Sequence, residues 1–263
     1  MSIKEFKSGK CIDFKYAKGK IDIFGNTFHS HYELYLFLGG KAELINDHAR
    51  LSLRPYQLVI IEPGRYHQFT VEGDADEYER CVLNVREELL PPETIKNALC
   101  GKEILTLPAN SRIVGNFLYL RELLISHADD GDLYHILPAV ATDIIFAIKN
   151  LEQSATEALG GINALSHSIM AYVNAHFTEH ITLETLSEVF HVSVSSLCHI
   201  FKKNFGLSIK QYITQKRLNA ARLYIEKGLG AEEACSACGF FNYSAFFRAY
   251  KKQFGISPSQ DLR

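Results

Sequence analysis

No window of this 263-residue sequence approaches the roughly 18 uninterrupted apolar residues that a membrane span needs. The first ten residues, MSIKEFKSGK, lack the apolar run of a secretory leader. The six cysteines, at 11, 81, 100, 198, 235 and 238, lack the close, even spacing of a disulfide framework. Together these absences predict a reduced, cytoplasmic chain. A hydrophobic content of 47% with 22% charged residues excludes a disordered polymer, and the length suits one large domain or two ordinary ones. Acid is missing locally: His191 to Ile225 carries Lys202, Lys203, Lys210, Lys216, Arg217 and Arg222 and no carboxylate. Residues 1–163 hold 17 basic against 23 acidic side chains, whereas 164–263 hold 11 against 7. One half is therefore suited to a polyanion and the other to a different task.

From Cys11 to Val85, short apolar runs alternate with turn residues every 8–12 positions: CIDFKYA, IDIFGNTF, HYELYLFL, KAELI, ARLSL, QLVIIEP, HQFTV, YERCVLNV. That spacing predicts an antiparallel barrel or sandwich. After Pro92 the period changes. Ile113, Phe117, Leu120 and Leu124 form the seam of a helix, packing either on its own barrel or on a second copy. A second helix is expected over 132–151 with Ile136, Val140, Ile144 and Ile148 on one face. The expected organisation is a barrel over 1–92, a helical extension with candidate dimerisation helices over 93–153, a small-polar linker at 154–163, and an all-helical domain over 164–263.

The last hundred residues contain a repeat. FKKNFGLS at 201–208 returns as YKKQFGIS at 250–257, an offset of 49 that also relates Ser193 to Asn242 and Leu197 to Phe246. Ser193 and Asn242 read as N-caps, and Gly206 and Gly255 as left-handed helix stops. Each capped helix follows a shorter apolar one, ITLETLSEVF or AEEACSACGF, across a tight turn. This is a helix-turn-helix, present twice. SIKQYITQKRLNAARLYIEKG joins the copies as a helix of about 19 residues, roughly 28 Å at 1.5 Å per residue. That length is close to the ~34 Å between successive major-groove openings on one face of duplex DNA.

Residues from about Ile181 to Leu262 resemble the DNA-binding domain of AraC/XylS-type transcription regulators. The tail NYSAFFRAYKKQFGISPSQDLR and the linker-helix residues Arg217, Leu218, Ala220 and Ala221 carry the likeness. By position, the resemblance implies that Ser195, Ser196, His199, Lys202 and Lys203 face DNA from the first unit. Ser244, Ala245, Arg248, Lys251 and Lys252 hold the matching places in the second. His199 and Arg248 reach either phosphate or bases, and the forked donors of Arg248 suit guanine. Leu186, Leu197, Phe201, Phe246 and Tyr250 belong inside. In the second unit, Ala231, Ala234, Cys235 and Cys238 stand where bulkier or different residues are usual in the family. The smaller buried area predicts a less stable second unit.

The first half resembles the cupin-like sensor domain of the same family, on FHSHYELYLF, EPGRYH at 62–67 and YERCVLNV at 78–85. Taken as a strand, the first run places His29, His31 and Glu33 on one face. Metal-binding cupins pair a His-x-His with a carboxylate a few residues on and a later histidine after a turn. His29, His31 and His67 match, with Pro63–Gly64 as the turn, but Glu33 stands closer to His31 than is usual. The resemblance implies an effector pocket lined by His29, His31, Glu33, Tyr35, His67 and Arg80, with Glu79–Arg80 as a structural ion pair. It implies no catalytic residue and no cofactor; a metal on His29, His31 and His67 is the alternative. The expected fold is α+β: a cupin-like β-barrel with a helical pair, then a double helix-turn-helix domain. The expected function is an effector-controlled transcription regulator, a homodimer whose partners are double-stranded DNA, a small molecule and RNA polymerase. Two other readings remain: a metal-dependent cupin enzyme with a DNA anchor, and a dimeric regulator that needs no effector.

Overall fold

Alternating apolar residues turn the first half into strands. The computed structural model describes residues 2–8, 11–19, 29–46, 50–72, 77–126, 130–151 and 164–261. Its strands are β1 (Ser2–Ser8), β2 (Ile12–Lys18), β3 (Tyr32–Gly39), β4 (Lys41–Asn46), β5 (Arg50–Ser52), β6 (Gln57–Ile61), β7 (His67–Glu72), β8 (Glu79–Val85) and β9 (Ile104–Thr106). Six of them form a sheet in the order β1-β2-β8-β3-β6-β9, and β5-β4-β7 form a second. The pairings of the larger sheet are antiparallel. The run IDIFGNTF at 21–28 and the linker at 154–163 fall outside the described residues.

The larger sheet is covered on both faces, which is why β6, QLVII, is apolar without alternation and wholly buried. One face, with Phe14, Leu34, Leu36, Leu58, Leu83 and Val85, packs in a core that includes residues of three helices. These are α1 (Pro92–Leu99), α2 (Arg112–Ile125) and α3 (Asp130–Lys149). The other face, with Tyr35, Phe37, Val59 and Val82, forms a smaller core with Leu44 of β4 and Phe69 of β7. The hairpin from β3 to β4 turns at Gly40, whose φ of +89° and position 2.7 Å from the Tyr78 Cα for any added Cβ admit only glycine.

Helix α1 falls within the expected helical extension, whereas strands β1 and β9 were not anticipated. The last lies beyond residue 92 yet pairs with β6 through Gln57–Thr106, Leu58–Leu105 and Val59–Ile104. The seam of α2 is decided in favour of its own chain: Ile113, Phe117, Leu120 and Leu124 are buried in the same core as the sheet. A dimer through those residues is therefore corrected, because their apolar area is already removed from water. Arg112 donates to both carboxylate oxygens of Asp143, and Asn116 Nδ2 donates at 2.6 Å, tying α2 to α3.

The second half is α4 (Ala164–His176), α5 (Leu183–Phe190), α6 (Val194–Phe205), α7 (Ile209–Glu226), α8 (Ala231–Ala237), α9 (Tyr243–Phe254) and α10 (Pro258–Asp261). The chain divides into two compact units, one mainly of residues up to Gly160 and the other mainly from Gly161 on. Both repeated helices begin and end as their caps dictate. The Ser193 hydroxyl accepts from the Ser196 N–H at 3.3 Å, and Asn242 Oδ1 accepts from the Ala245 N–H at 2.9 Å. Gly206 and Gly255 close them at φ of 72° and 77°. Between them, α7 starts with a Ser208/Gln211 capping box and runs 18 residues, about 27 Å.

Leu186, Leu197, Phe201, Phe246 and Tyr250 are all buried, as the spacing requires. In the second unit Ala234, Cys235 and Cys238 pack with Leu218, Ile225, Phe246 and Tyr250. All six cysteines are free, and burial pushes the Cys238 thiol up to about 12. A buried protonated thiol is a small apolar group, so Cys235 and Cys238 are packing residues.

Candidate functional site

Two surfaces hold the chemistry. On α6, Ser195, Ser196, His199, Lys202 and Lys203 are exposed, and on α9 so are Ser244, Ala245, Arg248, Lys251 and Lys252. Each helix buries one stripe, Leu197, Phe201 and Phe205 in α6 and Phe246 and Tyr250 in α9. The opposite, polar stripe is thereby forced outward. The lysines lie in the last turn of each helix, where the macrodipole favours cations.

One arginine fixes how the two repeats meet. Arg217 of α7 donates from Nε to the Phe177 carbonyl and from a terminal nitrogen to the Glu179 carbonyl, both at 2.6 Å. Its guanidinium also lies 6.0 Å from the Phe240 ring centre. Arg217 thus joins the segment after α4 to the turn between α8 and α9. Sequence reading had it as a family signature only, without a partner. Tyr250 donates to Asp261 at 2.6 Å and Arg222 pairs with the same carboxylate at 3.0 Å, which seats α10 on α7 and α9.

The inner face of the larger sheet carries the second surface. Strand alternation puts Glu33 and Tyr35 of β3 on one side with Arg80 of β8. The Tyr35 and Tyr78 hydroxyls are 2.6 Å apart, and Phe69 stacks on Tyr35 at 3.8 Å between centroids. The Arg80 guanidinium lies 5.4 Å from the Tyr35 ring centre and 5.9 Å from that of Tyr78. Burial opposes the Arg80 charge, but the fields of Tyr35, Tyr78 and Glu33 hold its pKa above the ordinary arginine value. Burial raises Tyr35 well above the usual phenol range, and Tyr78 with it. Among the described residues, the buried Nε of Arg80 has no hydrogen-bond partner. Tyr78 and Phe69 were missed in the sequence; the two-residue step from Tyr78 to Arg80 would have found the first.

At the edge of this wall, His67 is 2% exposed and its Nε2 lies 3.9 Å from Glu33 Oε1. Its Nδ1 is 3.4 Å from the Arg65 carbonyl, a partner that favours a proton on that nitrogen. The potential ligand atoms of His29, Glu33 and His67 all lie within 4.8 Å of one another. His31 is not in that group, which corrects the expected metal set of His29, His31 and His67. The physical reason is that β3 begins at Tyr32, so the period-two rule does not govern His29 and His31. The geometry fits a divalent cation with one carboxylate and two imidazoles.

The expected Glu79–Arg80 ion pair is also corrected, because neighbours on a strand point to opposite faces. Glu79 faces outward, accepting from the Tyr16 hydroxyl at 3.0 Å and Arg121 at 3.1 Å, with Lys18 at 3.6 Å. Burial and the Glu79 hydrogen bond raise Tyr16 to about 12. These residues line an open depression of about 520 Å³ beside the end of α2.

Comparison with known proteins finds likenesses for both halves of the chain. A profile described as a helix-turn-helix domain matches residues 186–263, and one described as an AraC-like ligand binding domain matches 15–134. The HTH-type transcriptional regulator YdiP of Escherichia coli is 34% identical over 246 residues, covering 88% of this chain and 78% of its own. The Msm operon regulatory protein of Streptococcus mutans is 25% identical over 275 residues, covering 99% of this chain and 91% of its own. The solved C-terminal domain of AraT, a response regulator from Geobacillus stearothermophilus, is 26% identical, with a TM-score of 0.38 over 40% of this chain and 88% of its own. With a double helix-turn-helix behind an AraC-like ligand-binding domain, the chain belongs to the AraC family of DNA-binding transcription regulators.

Proposed function

We propose that this regulator is controlled by a small molecule that occupies the inner face of its β-unit and hydrogen-bonds to Arg80. The observation that carries the reading is the Arg80 Nε, buried on two tyrosine rings without a hydrogen-bond partner among the described residues. An unmet buried N–H costs on the order of 1–3 kcal/mol, which a ligand oxygen acceptor would recover. Glu33, Tyr35 and His67 line the same wall and would orient the ligand. His29 lies at its edge, close to Glu33 and His67.

The regulatory step follows from two adjacent residues. Arg80 turns into the wall and Glu79 outward to Arg121 of α2. A ligand that draws Arg80 inward moves β8, and Glu79 passes that displacement to α2. Regulation then requires that the ligand bind the two positions of β8 with different affinity. A second reading, a divalent cation on His29, Glu33 and His67, is favoured by their shared approach.

A thermal-melt panel of sugars, organic acids, phosphates and Zn²⁺ tests both. A compound at 100 times its Kd should stabilise the wild type by about 2.7 kcal/mol, and Arg80→Met should lose most of that gain. Zn²⁺ stabilisation that survives Arg80→Met and vanishes in His67→Ala selects the cation reading. With the stabilising compound bound, hydrogen exchange over 112–126 should change in the wild type and not in Glu79→Gln. A panel with no stabilising member would sink effector control of this wall.

The regulator acts as a homodimer in this reading, through the outer side of α2 and α3. Tyr119 and Ile125 of α2 and Tyr134 and Phe146 of α3 are 40–51% exposed, large apolar groups that a partner would cover. Sedimentation at micromolar concentration should show a dimer whose dissociation constant rises at least tenfold in Tyr119→Lys. A wild-type monomer on DNA and off it would remove this part of the proposal.

A further inference from the structure

The two DNA-facing helices are not equivalent, and their differences lie at one end. The offset of 49 residues pairs Ser195 with Ser244, Ser196 with Ala245, His199 with Arg248 and Val192 with Phe241. Val192 is partly buried, but Phe241 is 75% exposed, the most exposed of the large apolar residues among those described. It stands immediately before Asn242, the N-cap of α9. Ser244, Ala245, Arg248 and Lys251 follow the three- and four-residue steps that line one helix face, and Phe241 stands just outside the helix, before its extended N-cap residue. Among the described residues its ring meets one aromatic partner, His180, edge-on at 5.5 Å. The N-terminal end of the second helix, the end that meets base edges in a major groove, thus presents two apolar side chains, Phe241 just before the cap and Ala245 in the first turn.

We infer that the second recognition helix reads a thymine beside a guanine, with Phe241 and Ala245 on the thymine methyl and Arg248 on the guanine. In the major groove the C5 methyl of thymine is the apolar feature on a base edge, and Ala or Phe is a side chain that meets it. Arg248 lies three residues past Ala245 on the same helix face, in position for an adjoining base. Its fork matches guanine O6 and N7. The first helix, with Ser196 and His199 at these positions and Val192 tucked in, lacks this pair of readers. The inference rests on α9 being the groove helix.

The test uses the full chain and a random-sequence duplex pool. The selected site is resynthesised with each thymine under the second unit replaced by deoxyuridine, which removes only the methyl. One thymine should then lose about fourfold in affinity, the value of one buried methyl group. Phe241→Ala should lose a similar factor on the thymine site and show no further loss with deoxyuridine. Its melting temperature should equal the wild type's, since the side chain is outside the core. A neutral deoxyuridine series, or a deoxyuridine penalty that persists in Phe241→Ala, overturns the thymine assignment. Arg248→Ala separates the two layers. If it relaxes a guanine while deoxyuridine stays neutral, only the thymine assignment falls. If it changes no base preference, Arg248 reads no guanine and the guanine assignment falls.

Discussion

Gly239→Ala is expected to unfold the second helix-turn-helix. Gly239 has φ of +77°, and a Cβ there would overlap the Thr178 carbonyl oxygen and lie 2.7 Å from its carbon and 2.9 Å from its Cα. All three atoms are backbone, so no side-chain rotation relieves the clash. The left-handed conformation alone costs an alanine roughly 1–2 kcal/mol. Displacing the Thr178 segment also strains the Arg217 bonds to Phe177 and Glu179. A total on the order of 4 kcal/mol is expected, at the upper end for single substitutions. Gly255→Ala is the control: the same φ of +77°, but nothing within 4 Å of the added carbon. It should cost only the conformational part.

Hydrogen exchange read separately over 183–206 and 231–255 checks this. In the wild type the second segment should already exchange faster, because its core is built partly from Ala231, Ala234, Cys235 and Cys238. In Gly239→Ala its protection should fall to that of an unfolded chain while the first segment keeps most of its own. Equal protection of the two wild-type segments would refute the weaker second unit. Equal melting points for the two glycine variants would refute the clash.

The second large effect concerns affinity. Replacing Lys202, Lys203, Lys251 and Lys252 together by alanine should weaken binding to every duplex by roughly four thousandfold at 0.1 M salt. Each phosphate contact releases counterions with a log–log slope near 0.9, so each is worth close to tenfold at that salt. The salt slope should fall by about 3.6 units. Relative preference among sequences should survive, because phosphate contacts carry no base information. Arg248→Ala should do the reverse, costing about 1–3 kcal/mol on the preferred site and flattening specificity at one position. Titrations at several salt concentrations distinguish the two patterns. An unchanged slope in the lysine variant would mean these exposed cations do not meet phosphate.

The helical half was the more readable because its signals are local. An N-cap serine, a left-handed glycine and a stripe of apolar residues act within one or two turns of chain, so Ser193, Asn242, Gly206 and Gly255 could be placed without any neighbour. The repeat then doubled the signal. The β half was readable in its strands and misread in its site. FHSHYELYLF was treated as one strand, but regular pairing begins at Tyr32, and His29 and His31 take positions that the period-two rule does not set. Strand β9 has only three residues and no pattern of its own, and exists because β6 offers it an edge.

By itself, the sequence determined that this chain has a β-rich unit and a doubled helix-turn-helix, and which residues of each helix lie inside. Those properties follow from periodicity and capping, which need only neighbours in the chain. Tertiary structure decided which polar groups share a site. It brought Glu33 to His67 across β3 and β7, and Arg80 onto Tyr35 and Tyr78. It turned Glu79 away to Arg121, and it set the turn at Gly239 against the backbone of Thr178. Such contacts join residues tens of positions apart, and their geometry is set by sheet register and helix packing rather than by local spacing.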